Sequence, residues 1–264
     1  MTPPFDEIAF LTRSPNRVAV LGALAEGRYS RRELVDETPA SRVTVGRILH
    51  DFGERGWVRN SGEGYEATTR GRLLAQELLS VLDRLRAIDR LDPVLPWFPI
   101  DRLDVPLSAF GDADVTVPTT AEPNRHHRRI GTVGGIADHA RMYSQGATKE
   151  AIDIHRSAIR NRGQRLELVL TRPALDAIAA DDQLRAEFRT LAAAAAFVGT
   201  VERELSLPFV ALFDGRCFLG AVTDSGAPAG VVESDDDALV AWTQRTLDEI
   251  RAAAVPLDLD AFTA

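Results

Sequence analysis

The sequence predicts an α+β winged helix-turn-helix domain at the N-terminal end, followed by an α/β domain. Three observations predict it. Residues 28–72 read in order as a short helix, a turn, a second helix with apolar residues at helical spacing, and a two-stranded hairpin. Beyond Pro93 and Pro96 the pattern changes to strands alternating with helices, which is how an α/β layer is written. The charge divides at the same place. Residues 1–92 hold 14 Lys+Arg and 14 Asp+Glu; residues 93–264 hold 17 and 25, and so carry the whole net charge of -8. The expected division is 1–70 for the winged domain, 71–92 for a linking or pairing helix, and 93–264 for an α/β effector-sensing or dimerisation domain.

The elements follow in order. Phe5, Ile8 and Ala9, then Val18, Val20, Leu21 and Leu24, mark two helices, the second opened by Ser14-Pro15 and closed by Gly27. Ser30 with Glu33 three residues on is a capping box for a short helix anchored by Leu34 and Val35. Ser41 caps the next helix, 42–55, in which Val45, Ile48, Leu49 and Phe52 form one apolar stripe before Gly56. Residues 57–59 and 65–68 read as strands around the turn Ser61-Gly62-Glu63-Gly64. Thr69 opens a long helix to Leu91, with Leu73, Leu74, Leu78, Leu82 and Leu85 as its stripe, and the prolines end it.

Strands are then expected at 114–118, 138–144, 166–171, 197–203, 209–213, 217–223 and 230–233. Helices are expected at 124–134, 147–162, 173–180 and 183–196, with a last one opened by Ser234 and running to Ala254.

Composition excludes several classes. Hydrophobic residues at 45% and charged residues at 27% describe a folded chain, not a disordered one. No apolar run reaches the roughly 18 residues of a membrane span, and the start MTPPFDEIAF lacks the form of a signal peptide. One cysteine, Cys217, allows no internal disulfide. A cytoplasmic protein without membrane association is expected. Only Lys149 among the basic residues is lysine, which fits either salt adaptation or codon bias.

The stripe of Val45, Leu49 and Phe52 must face the core, so Arg42, Thr44, Arg47 and His50 stand on or near the opposite face. Early residues of a recognition helix reach base edges in the major groove. Arg47 is the candidate for guanine, Thr44 for a thymine methyl or a phosphate. Arg31, Arg32, Arg59 and Arg70 are candidate phosphate contacts, the capping Ser41 is a further DNA-binding candidate, and Asn60 and Ser61 form the small polar wing tip. The partner expected from this set is double-stranded DNA.

The second part carries no catalytic motif. There is no G-x-S-x-G, P-loop or dinucleotide fingerprint in a strand–helix context. His126, His127, His139 and His155 lack metal-ligand spacing, so a surface or hydrogen-bonded role is expected, with no metal and no cofactor. Asp235, Asp236 and Asp237 suit a helix start. Cys217 sits on an apolar strand as a core residue. Arg125, His126, Arg156 and Arg160, near expected strand ends, are the candidate contacts for a small anionic effector such as a sugar phosphate.

The stretch SRVTVGRILHDFGERGWV followed by YEATTRG resembles the recognition helix, wing and closing Thr-x-x-Gly of archaeal MarR/ArsR-like winged-helix regulators. DADVTVPTTAEP, GQRLELVLTRPALDAI and the stretch from LPFVALFDGRCFLGAV to TLDEIRAAAVPL resemble the sensor domain of the methanogenesis-regulator (Fil-type) family, widespread in halophilic archaea. That family is similar to TrmB-type sugar-responsive regulators, whose effector domains resemble phospholipase-D-like folds. The resemblance covers nearly the whole chain. It implies a transcriptional regulator, not an enzyme. A homodimer is expected, because one winged helix reads only a half-site and the leucine-rich helix has apolar residues to spare. Two rivals remain at this point. One is a phospholipase-D-like enzyme with an accessory winged helix, opposed by the missing His-x-Lys pair. The other is a winged-helix adaptor for another protein.

Overall fold

The computed structural model describes residues 4–260 and 262, and the chain divides after Asp83 into two compact units. In the first unit, helices α1 (Pro4–Thr12), α2 (Pro15–Glu26), α3 (Arg31–Glu37) and α4 (Arg42–Glu54) precede a hairpin of β1 (Val58–Asn60) and β2 (Tyr65–Ala67). Helix α5 (Thr69–Leu91) follows and runs on past the division. The capping box of α3 is formed: Ser30 Oγ accepts from Glu33 N at 3.3 Å and Glu33 accepts from Ser30 N at 2.7 Å. The backbone of Tyr29 bridges that of Tyr65, adding a third short edge to the hairpin.

The stripe of α4 is buried as its spacing requires: Val45, Ile48, Leu49 and Phe52 join Leu21, Leu24 and Leu34 in one core. Trp57 seals it, packed edge-on against Phe10 at 5.8 Å and tilted against Phe52 at 5.5 Å. The expected stripe of α1 is corrected. Phe5 is 85% exposed and Ile8 and Ala9 also face out, while Leu11 and Phe10 meet the core. Arg17 and Arg55 each lie 3.8 Å from the centre of the Phe10 ring, so that ring is covered by cations.

The hairpin is tied to α5 through Thr68 and Gly71. Thr68 Oγ1 donates to the Gly56 carbonyl at 2.8 Å and accepts from Gly71 N at 3.1 Å. A Cβ on Gly71 would fall 2.0 Å from the Trp57 carbonyl oxygen. That close approach is what the closing Thr-x-x-Gly provides.

The second unit opens with the end of α5 and three short 3-10 turns between Leu95 and Phe110, which the sequence reading did not foresee. It then runs β3 (Asp114–Thr116), α6 (Arg125–Gly134), β4 (His139–Ser144), α7 (Lys149–Arg162), β5 (Arg165–Thr171), α8 (Arg172–Ala180), α9 (Asp182–Ala194), β6 (Phe197–Val201), β7 (Phe209–Phe213), β8 (Arg216–Val222), β9 (Pro228–Ser234), α10 (Asp237–Ala253) and β10 (Val255–Pro256). The sheet order is β10-β6-β5-β4-β7-β8-β9-β3. Only β4, β5 and β6 are mutually parallel, joined by crossover helices; their neighbours are antiparallel.

Both sheet faces are covered, which is why the central strands are apolar throughout. Met142, Leu168, Ala211 and Phe218 point toward α6, α7, α8 and α9. Tyr143, Val169, Val210 and Leu219 point to the other face, toward α10, the 3-10 turns and the last turns of α5. One cap differs from expectation: Asp236, not Ser234, caps α10, accepting from Ala238 N and Leu239 N. Ser234 still belongs to β9, and its hydroxyl accepts from Asp236 N at 3.1 Å.

Candidate nucleic-acid interface and a cleft in the second unit

In the first unit, burial of one side of α4 forces Arg42, Val43, Arg47 and His50 outward. Val43 is 84% exposed, a position the sequence reading passed over. The signal was there: an apolar residue one place off the stripe. Beside this face, a Cβ placed on Gly46 would meet no atom of the described residues within 4 Å. Arg32, Arg42, Arg47 and His50 have no ion pair or side-chain hydrogen bond among the described residues, so their donors are free for a partner. Arg31 is exposed near the Tyr65 ring, 5.7 Å from its centre.

Other candidates are already engaged. Thr44 is half-buried; its hydroxyl lies 2.9 Å from that of Ser41, which caps the helix through Thr44 N. Asn60 Oδ1 accepts from Gly62 N at 2.9 Å and Ser61 Oγ donates to the Gly64 carbonyl at 3.1 Å, so both build the wing turn. Arg59 donates to Glu66 at 2.8 Å, which holds that carboxyl below the usual carboxylate range. Arg70 donates to Glu7 at 2.6 Å. These arginines must exchange a carboxylate to reach a phosphate, and solvent-exposed ion pairs of this kind are weakly held.

In the second unit a cleft of about 990 Å³ opens between the N-terminal ends of α6 and α7. It lies over the carboxyl end of β4, beside the start of β7, the end of β8 and the start of β9. The chain leaves β4 through α7 toward β5, while β7 flanks β4 on its other edge. That is a switch point in strand order, where open α/β sheets bind ligands.

Of the four residues expected to hold an anionic effector, only His126 lines this cleft. Arg125 is exposed beside Glu122 at 3.9 Å, Arg156 pairs with Asp153 at 2.5 Å, and Arg160 is exposed near Asn161. The expected grouping of these four residues is therefore corrected. The charges that do line the cleft are Glu122, Glu150 and Arg128, with Arg128 donating to Glu122 at 2.5 Å.

Three histidines line it instead. His126 is 4% exposed and stacks on His127 at 4.1 Å between ring centres. Neither of its ring nitrogens has a hydrogen-bond partner, contrary to the surface or bonded role expected. Burial first, and His127 second, push its pKa down to about 4. Burial also lowers His127 and His155.

His155, likewise buried, is held by Gln164. The Gln164 amide Nε2 donates to the Gly134 carbonyl at 2.7 Å and the Ala137 carbonyl at 2.8 Å. Its Oε1, 2.8 Å from His155 Nδ1, can only accept, so Nδ1 carries the proton. Sequence reasoning missed Gln164. Its signal was faint: a polar residue after Gly163, whose φ of 72 ends α7 in the left-handed conformation and turns the chain back.

Two further groups are accounted for by structure alone. Glu233 is buried with two guanidiniums: Arg129 grips it through two bonds of 2.6 Å and Arg216 adds one of 2.8 Å. Burial works to raise its pKa, and the two arginines outweigh it and hold the carboxyl ionised. Burial pushes the Cys217 thiol up to about 11, which makes it unreactive.

The comparisons with known proteins match this two-part layout. Residues 5–90 match the model of the HVO_A0261 N-terminal domain, and residues 123–253 match that of the methanogenesis regulatory protein FilR1, middle domain. The two matches are to domains of regulatory proteins and together leave out the stretch between residues 90 and 123. The cleft lies almost wholly within the middle-domain match. TrmBL2, an archaeal chromatin protein whose structure shows a mode of DNA binding, is 14% identical over 96% of this chain and 99% of its own, with a TM-score of 0.44. Nuc, a phospholipase D family member from Salmonella typhimurium, is 13% identical over 55% of this chain and 99% of its own, with a TM-score of 0.42. Likenesses this distant carry no argument about activity. No curated protein matches the chain in sequence. No helix among the described residues is long and apolar enough to cross a membrane.

Proposed function

We propose that this protein is a DNA-binding transcription regulator whose hold on its operator is modulated by a ligand in the cleft of the second unit. The observation that carries the DNA reading is the outward row of α4. A helix with a sealed apolar side presents Arg42, Val43, Arg47 and His50 to solvent, with the two arginines free of any carboxylate. Arg47 suits a guanine edge, and Val43 takes over the thymine-methyl contact for which Thr44 is turned away. Arg31 and Arg32 on α3 are placed to hold phosphates, which position the helix without specifying sequence.

The working division is 1–70 for the DNA-binding head, 71–92 for a pairing helix and 93–264 for the sensor, acting in the cytoplasm. Val81, Leu85 and Ile88 stand exposed along one face of α5, and a second copy of the chain is the natural cover for an apolar row on a protein that must span two half-sites. No catalysis is assigned to the second unit. Lys149, the only lysine, is taken up by Glu187 and Asp153.

The test is retention of a DNA fragment carrying the protein's own promoter region. The intact chain retains it, and Arg47→Ala weakens that retention. If the intact protein retains no genomic fragment, the reading is rejected.

A further inference from the structure

The walls of the cleft define the chemistry of what it can hold. Much of the surface is apolar, from Ile130, Ile154, Phe209, Val222 and Val231. Charge is close to balanced. Glu122 and Glu150 outnumber Arg128 by one, and the N-terminal ends of α6 and α7 offset that with partial positive charge.

Polar groups in the wall are largely spent on the protein itself. Ser144 Oγ donates to the Gly146 carbonyl at 2.6 Å, Thr148 Oγ1 caps Ala151 N at 3.2 Å, and the Gln145 amide donates to the Leu205 carbonyl at 2.8 Å. His155 is different. Gln164 fixes the proton on Nδ1, so Nε2 is left as a bare acceptor. A bare acceptor takes a hydroxyl or an N–H. A carboxylate, or a phosphate ester as its dianion, would set lone pair against lone pair. His126 adds a second demand, since both its nitrogens lack partners and a ligand that draws the ring toward the cleft satisfies one of them.

We infer that the cleft binds a small uncharged molecule with an apolar body and a hydroxyl or amide N–H, which donates to His155 Nε2. The inference rests on the sensor reading above and gives the class of ligand sensed. The volume, about 990 Å³, accommodates a molecule of drug size.

The test uses the full-length protein labelled with ¹³C at histidine Cε1. Its five histidines give five resonances, assigned with His126→Gln and His155→Gln. The probes are benzamide, p-cresol and cyclohexanol, with benzoate and inorganic phosphate as anionic counterparts. At least one uncharged probe shifts the His155 resonance saturably, and benzoate binds at least tenfold more weakly than benzamide. Ala151→Phe, which fills the cleft from an exposed site on α7, weakens the uncharged probe at least tenfold. Gly146→Phe, where an added Cβ meets open space, serves if the first variant fails to fold. The inference is overturned if benzoate or phosphate binds more tightly than benzamide, or if no uncharged probe moves His155 at its solubility limit.

Promoter binding separates the two readings. An uncharged probe that binds the cleft yet changes promoter affinity less than twofold leaves the ligand class standing and removes the sensor. Promoter retention with no uncharged probe bound removes the ligand class and leaves the DNA-binding role.

Discussion

Replacing Gln164 by leucine removes the group that ties His155, a wall residue of the cleft, to the turn after α6. Three hydrogen bonds go at once, of 2.7, 2.8 and 2.8 Å, to the Gly134 carbonyl, the Ala137 carbonyl and His155 Nδ1. Gln164 is 3% exposed, so the three partners stay buried without water. A buried polar group stripped of its partner costs about 1–3 kcal/mol. Three of them sum to about 3–6 kcal/mol once partial relaxation is allowed, a large part of a domain's stability. Leucine fills nearly the same volume, so little of the loss arises from a cavity. Scanning calorimetry on the full chain is the assay, because two compact units can melt separately. The transition of the second unit drops and that of the first stays in place. A loss below about 1 kcal/mol would refute the reasoning, since it would mean that the three partners find water or each other.

His126→Leu acts in the opposite direction: it removes two buried orphan nitrogens and raises the stability of the second unit at pH 7 by about 1 kcal/mol or more, read in the same calorimeter. With a folded pKa of about 4 against an ordinary 6.5, His126 binds its proton more readily in the unfolded chain, so the protein loses stability as pH falls between those values. The pKa difference sets that loss on the order of 3 kcal/mol, and a pH series on the leucine variant lacks this component. Gly71→Ala drives a Cβ to within 2.0 Å of the Trp57 carbonyl and lowers the melting of the first unit by about 2 kcal/mol or more. An unchanged first transition would show that the hairpin and α5 can shift apart freely.

Most of the fold was legible because local signals and the global pattern agree. Helix α4 is the clearest case: a serine cap, four apolar residues on one face and a glycine at the end leave little choice. The stripe of α1 misled because Phe5 and Ile8 have the right spacing but lie beyond the reach of the core, which begins at Phe10 and Leu11. The 3-10 turns after α5 were illegible, since their prolines announce a break and say nothing of how the chain packs next. The outward row of α4 was half legible. Arg42, Arg47 and His50 follow from the buried stripe, whereas the diversion of Thr44, Asn60 and Ser61 into caps and turns depends on rotamers that no periodicity encodes.

The cleft was legible only in His126. Arginines were the natural guess, and each of the three lies against a carboxylate or amide neighbour without itself lining the cleft. What distinguishes the site is a pairing across a helix end, His155 with Gln164, whose residues are nine apart and whose meaning lies in a proton position.

The account stands on the outward face of α4 touching DNA, and a salt titration of binding to the promoter fragment tests it most directly. Fluorescence anisotropy at several salt concentrations compares the intact protein with Arg47→Ala and Arg32→Ala. Arg47→Ala weakens binding by about 1–3 kcal/mol, as expected for a base contact, while Arg32→Ala lowers the slope of log K against log salt by about 1, as expected for one phosphate. Binding that is unchanged in both variants, in affinity and in slope, would contradict the claim.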